Sequence, residues 1–104
     1  AQMGELLGAG LRALADKHAL IGEVRGMGVF WALELVSNRA SRAKLPAAAM
    51  NTIKAACMAR GLLPFIADNR IHVVPPCNVS AEEVARALAI YDQVLAEVAP
   101  AYTE

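Results

Sequence analysis

Two histidines and two cysteines are the residues of this 104-residue chain that could ligate a metal or act as base and nucleophile, and their spacing organises neither. Cys57 falls on helical, apolar spacing and reads as a small core residue. Cys77 follows Pro75-Pro76, with no histidine beside it to draw off its proton. The cysteines and histidines do not group at metal-ligand intervals, so no metal site is expected, and two cysteines are too few for a disulfide framework. His18 stands at the polar end of a helical stripe, where it would complement the helix dipole. His72 lies in an apolar strand and reads as a hydrogen-bonded structural histidine. Gly26-Met27-Gly28 lacks the third glycine of a phosphate loop and leads into a strand rather than a helix. Met3, Met27, Met50 and Met58 read as packing residues. The sequence by itself holds no complete set of catalytic residues.

What could position such residues is one domain, residues 1–104, large enough to bury roughly two-thirds of its unfolded surface. Apolar residues make up 57% of the chain and charged residues 19%, which excludes disorder. That apolar share exceeds the usual value of about 45–50%, so part of the surface is expected to be covered by something else. Ten basic residues balance ten acidic ones, which argues against a nucleic-acid partner. No apolar run approaches a membrane span, and no signal peptide opens the chain, so a cytoplasmic protein is expected.

Met3, Leu7, Leu11 and Leu14 form a helical stripe, widened by Leu6, Ala13 and Ala15. No cap residue precedes it, so the helix is expected to begin upstream of Ala1. Ile21–Arg25 and Gly28–Val36 read as strands joined at Gly26-Met27-Gly28, where the glycines permit a tight turn or bulge. The second strand is almost wholly apolar on both faces and is expected to be covered on both sides. Residues 37–45 are polar, basic and irregular, and read as a surface loop. Pro46 and Gly61 bracket a second helix. Leu62–Ile66 and Ile71–Val74 read as short strands around a hairpin loop at 67–70. Ser80 and Glu83 form a capping box, with Val79 and Val84 placed to staple it, and Pro100 is expected to end the last helix. The order is α-β-β-α-β-β-α, an α+β fold with a small mixed or antiparallel sheet of three to four strands covered by helices.

Ile21-Gly22-Glu23-Val24-Arg25-Gly26-Met27-Gly28-Val29-Phe30-Trp31-Ala32-Leu33-Glu34-Leu35 resembles the V-R-G-x-G…E-L signature of class III (omega-type) aminotransferases. Arg60-Gly61-Leu62-Leu63-Pro64-Phe65, then Asn69-Arg70-Ile71-His72-Val73-Val74-Pro75-Pro76, then Ser80-Ala81-Glu82-Glu83-Val84 follow in that family's order. The resemblance covers essentially the whole chain. It implies the C-terminal small domain of a fold type I enzyme whose large, cofactor-binding domain is absent from these residues. The intact parent would use pyridoxal phosphate to move an amino group between an amine or amino acid and a keto acid, as a homodimer. Its Schiff-base lysine, ring-stacking aromatic and pyridine-pairing aspartate would lie upstream. Lys17, Lys44 and Lys54 do not match the catalytic-lysine context, so this chain alone is expected neither to bind the cofactor specifically nor to transaminate.

In such enzymes the small domain supplies substrate recognition and closure. Many relatives carry an arginine in the region matching Leu62–Phe65, or four residues before the second proline, to clamp a substrate carboxylate; this chain has none in the first place and His72 in the second. Arg70, His72 and Phe65 are therefore the substrate-side candidates. Arg25, with Gly26 and Gly28, is assigned to the turn, its fork gathering nearby carbonyls. Two other readings fit the same residues: a stand-alone α+β interaction module, and the small domain of a class III-like racemase or aminomutase.

Overall fold

The computed structural model describes residues 2–76 and 78–102; Cys77 lies outside them. Three helices are present: α1 (Gln2–Lys17), α2 (Ala47–Ala59) and α3 (Ala81–Tyr102). In α1 the stripe of Leu7, Leu11 and Leu14 is buried as its spacing requires, whereas Leu6 on the flank stays exposed. Helix α2 starts after Pro46 and ends in a Schellman arrangement. Gly61 takes φ 84°, its N–H donates to the Met58 carbonyl, and the Leu62 N–H donates to the Cys57 carbonyl. The capping box forms at α3: the Glu83 N–H donates to Ser80 Oγ at 3.1 Å, and the Ser80 N–H donates to Glu83 Oε1 at 3.3 Å. Pro100 does not stop this helix, which runs to Tyr102. Proline denies a partner to the carbonyl four residues back; here that residue, Ala96, is exposed rather than set in the core, which lowers the cost of the lost donor.

Strands β1 (Ile21–Met27) and β2 (Phe30–Asn38) pair antiparallel from Ile21↔Leu35 to Met27↔Phe30. The connection is therefore Gly28-Val29, two residues later than the glycine spacing suggests. Gly28 takes φ 60°, the conformation that the first central residue of a type II′ hairpin turn requires. Gly26 stays inside β1, directly opposite Trp31, because the indole occupies the space where a Cβ would sit. Trp31 is 7% exposed and belongs to the main core, as expected for the chain's one tryptophan.

Three further strands complete the sheet: β3 (Ala43–Lys44), β4 (Phe65–Ala67) and β5 (Arg70–Val73). The order is β1-β2-β5-β4, with β3 added beside the far end of β2, and each pairing is antiparallel. The polar stretch 37–45 is thus not wholly loop. Strands β2 and β4, linked through α2, are separated by β5, so the sheet contains no parallel ladder among the described residues.

The largest departure from expectation concerns the two faces of β2. Trp31, Leu33 and Leu35 are buried under the helices, but on the opposite face Phe30 is exposed and Ala32 and Glu34 are only partly covered. Helix α3 packs on both α1 and α2, and the helices share one core with Trp31, Leu33 and Leu35; on the other face Val36 is buried but stands outside that core. The molecule is a two-layer α/β sandwich with one bare sheet face.

Helix α1 is fastened to α3 by polar side chains. His18 is buried, and its Nε2 lies 2.6 Å from Asp92 Oδ1, while Lys17 Nζ lies 2.9 Å from Oδ2. The imidazole completes a contact between helices rather than simply facing the dipole of its own. These two hydrogen bonds, that of His18 first, hold the Asp92 carboxyl below the usual carboxylate range. A carboxylate depressed in the folded state contributes stability above its unfolded pKa and loses that contribution as pH falls through the folded value. Asp92→Asn is therefore expected to lower the melting temperature at neutral pH. The difference from the native chain should shrink steadily below about pH 4. Thermal melts across that range check it; a constant difference would show that the carboxylate charge plays no part.

Candidate functional site

Cross-strand register sorts the bare face into rows. One row runs Arg25, Ala32, His72, Phe65, and the next runs Glu23, Glu34, Arg70, Ala67. The alternation of β-strand side chains therefore places the substrate-side candidates Phe65, Arg70 and His72 together on the open face. Phe65 and His72 are direct partners, their rings edge to face with centroids 5.7 Å apart. Arg70 sits one row away on β5.

Charge on this face is mostly spoken for. Arg42 Nη2 lies 3.0 Å from Glu23 Oε1 and 2.7 Å from Glu34 Oε1. Arg25 reaches the same two carboxylates at 3.3 and 3.7 Å. Glu34, the one charged residue in an apolar strand, was the sequence signal that this face is open. Among the described residues Arg70 makes no ion pair within 4 Å, although its charge helps to hold the Asp68 carboxyl below the usual range, so its guanidinium keeps hydrogen-bonding capacity for an external anion.

Phe65 and His72 also border a cleft of about 890 Å³, walled by Leu63, Val74, Leu88 and Tyr91. Its lining is apolar apart from His72, the Tyr91 hydroxyl and the capping Glu83. Such a cleft accepts carbon skeletons, and the unpaired guanidinium on the adjoining sheet face accepts a carboxylate or similar anion.

Arg25 pairs with carboxylates, and the arginine whose fork gathers carbonyls is Arg39. It donates from Nε to the Ile21 carbonyl at 3.1 Å, and from Nη2 to those of His18, at 2.9 Å, and Ala15. Nothing local in the sequence marks that role, since its acceptors lie 18, 21 and 24 residues back along the chain. Cys57 is fully buried, and burial pushes its thiol up to about 11 against the smaller opposing pull of Arg60. A thiol so protonated is a packing group, not a nucleophile.

No family model matches this chain. Relatives do. A taurine–pyruvate aminotransferase of Rhodobacter capsulatus is 38% identical over 95% of the chain, which spans 23% of that protein. An ethanolamine-phosphate phospho-lyase homologue of Caenorhabditis elegans is 37% identical over 90% of the chain and is 21% covered. The solved taurine:2-oxoglutarate aminotransferase of Bifidobacterium kashiwanohense, in complex with pyridoxal phosphate and glutamate, superimposes with a TM-score of 0.89 at 30% identity. That superposition takes in 97% of this chain and 24% of the solved one. Over nearly its whole length the chain is thus similar to one part of taurine-type and other aminotransferases. It spans less than a quarter of the length of these relatives.

The lysines of this chain do not suit the covalent chemistry of pyridoxal phosphate. A Schiff-base lysine needs a desolvated or cationic pocket. Lys17 and Lys44 are exposed and paired with Asp92 and Asp68, and Lys54 is exposed on α2. No step of the family's reaction can be routed through them. Of the described helices, none is long and apolar enough to cross a membrane.

Proposed function

We propose that this chain is the C-terminal small domain of a cytoplasmic, homodimeric, pyridoxal-phosphate-dependent aminotransferase, and that it forms the substrate-side wall of the active site. The parent would transfer an amino group between an amine or amino acid and a keto acid. The cofactor and its covalent lysine would belong to the missing large domain. One observation carries the assignment of the wall: Phe65, His72 and the unpaired Arg70 share the single sheet face that the chain's own helices leave bare.

That wall is apolar over Phe65 and the neighbouring cleft and offers one free cation. It suits amines and small amino acids better than dicarboxylates, which would bury a second carboxylate without a partner. The test is amino transfer to pyruvate or 2-oxoglutarate by the full-length protein, using paired donors that differ only in a carboxylate. Arg70→Ala is expected to raise KM for the carboxylate donor about tenfold or more, the value of one charge-assisted hydrogen-bonded contact, and to leave the simple amine nearly unchanged. Equal losses on both donors would place Arg70 in a structural role, and no loss on either would leave it in solvent.

The likeness to an ethanolamine-phosphate phospho-lyase homologue favours a second reading, in which the parent eliminates phosphate from a phosphorylated amine. Release of inorganic phosphate and ammonia without any requirement for a keto acid would select it over transfer.

A further inference from the structure

Beyond the Arg25–Phe65 row, the same register aligns one more. Met27 pairs with Phe30, the Trp31↔Val73 pair sets Val74 beside Phe30, and the Phe65↔His72 pair sets Leu63 beside Val74. All four are exposed: Met27 by 82%, Phe30 by 68%, Val74 by 52% and Leu63 by 72%. With Phe65, at 71%, they account for five of the seven large hydrophobic residues exposed among the described ones. Met27 and Phe30 are paired across β1 and β2, and Val74 and Leu63 lie on the chain just beyond the paired ends of β5 and β4. Exposed apolar residues on a monomer are usually scattered singly; a continuous row across a sheet marks a contact surface.

We propose that this row is the surface on which the remainder of the parent chain docks, with Met27 and Phe30 at the hairpin tip as its apolar anchors. The inference rests on the reading above that the chain is part of a longer aminotransferase. The occupant follows from proportion. These residues are matched over 95% of their length by a relative of which they make up 23%, so more than three-quarters of such a protein lies elsewhere. The face is also graded as a domain interface is, with an apolar row at one end and the Glu23–Glu34–Arg42–Arg25 network over the next two rows as its polar margin.

Cysteine accessibility tests this. Phe30→Cys on β2 and, separately, Leu63→Cys in the segment before β4 replace exposed side chains, so neither should disturb the core. Maleimide labelling is measured on the 104-residue chain and on the full-length parent, each against the unsubstituted protein as background for Cys57 and Cys77. Both positions are expected to label freely in the short chain and more than about tenfold more slowly in the parent. Equal rates in the two would overturn the proposal, as would a coding sequence with no upstream frame. Protection in the short chain that grows with concentration, combined with free labelling in the parent, would assign the row to a second copy instead. Amino transfer is assayed on the unsubstituted parent: protection at both positions without transfer retains the docking surface and removes the aminotransferase reading, and transfer with equal labelling does the reverse.

Discussion

Trp31→Ala is expected to destabilise the chain by about 3–5 kcal/mol, the range for deleting a buried aromatic side chain. A domain of this size holds about 5–15 kcal/mol in all, so the variant should be unfolded in part or melt far below the native chain. The indole joins three elements. It packs against Gly8 of α1 and Gly26 of β1, and its Nε1 donates to the Gly28 carbonyl at 2.7 Å. The Arg12 guanidinium lies over the ring, 5.0 Å from its centroid. Removing it opens a cavity between helix and hairpin and frees the turn. Urea unfolding followed by circular dichroism measures the change. A loss below about 1 kcal/mol would show that Trp31 does not seat α1 on the hairpin.

The second large effect is the reciprocal one. Gly26→Ala would place a methyl carbon 2.2 Å from Cδ2 and Cε3 of the indole, and Gly8→Ala would place one 2.5 Å from the ring's far edge. At an unobstructed strand position the same exchange tends to stabilise, by about 0.4–1 kcal/mol, because it narrows the unfolded ensemble. Here the ring is rigid and buried, so overpacking of about 1–3 kcal/mol should win and reverse the sign. The double variant Gly26→Ala with Trp31→Ala separates the causes. With the indole gone the alanine has room, and its cost should vanish or turn favourable, giving a coupling energy of about 1–3 kcal/mol. Additivity of the two single changes would mean that the glycine answers to something other than the ring.

That pair of glycines also marks where the sequence stops being informative. Gly26 and Gly28 look alike in the signature, and both could make a turn. Gly28 makes it, by adopting φ 60°, whereas Gly26 keeps an ordinary backbone and is small because a tryptophan stands opposite. Which is which depends on the pairing of Gly26 with Trp31 and on α1 closing over the ring, neither of which the intervening residues encode. Arg39 is a similar case: its carbonyl acceptors at Ala15, His18 and Ile21 converge only once α1 and β1 are in place.

What the sequence did determine was short in range. The Ser80–Glu83 capping box, the Leu7–Leu11–Leu14 stripe and the Gly61 helix exit each depend on groups within a turn or three of helix, and each stands where the residues alone put it. The motif order pointed by the same kind of evidence to the aminotransferases that the chain is similar to. The bare sheet face was decided by tertiary structure. An apolar strand reads as covered on both sides, because hydrophobicity reports only that burial is favourable and not which element supplies it. In this chain the three helices cover Trp31, Leu33 and Ile71 on one side and leave Phe30, His72 and Arg70 on the other, and it is that choice of side which makes a candidate site.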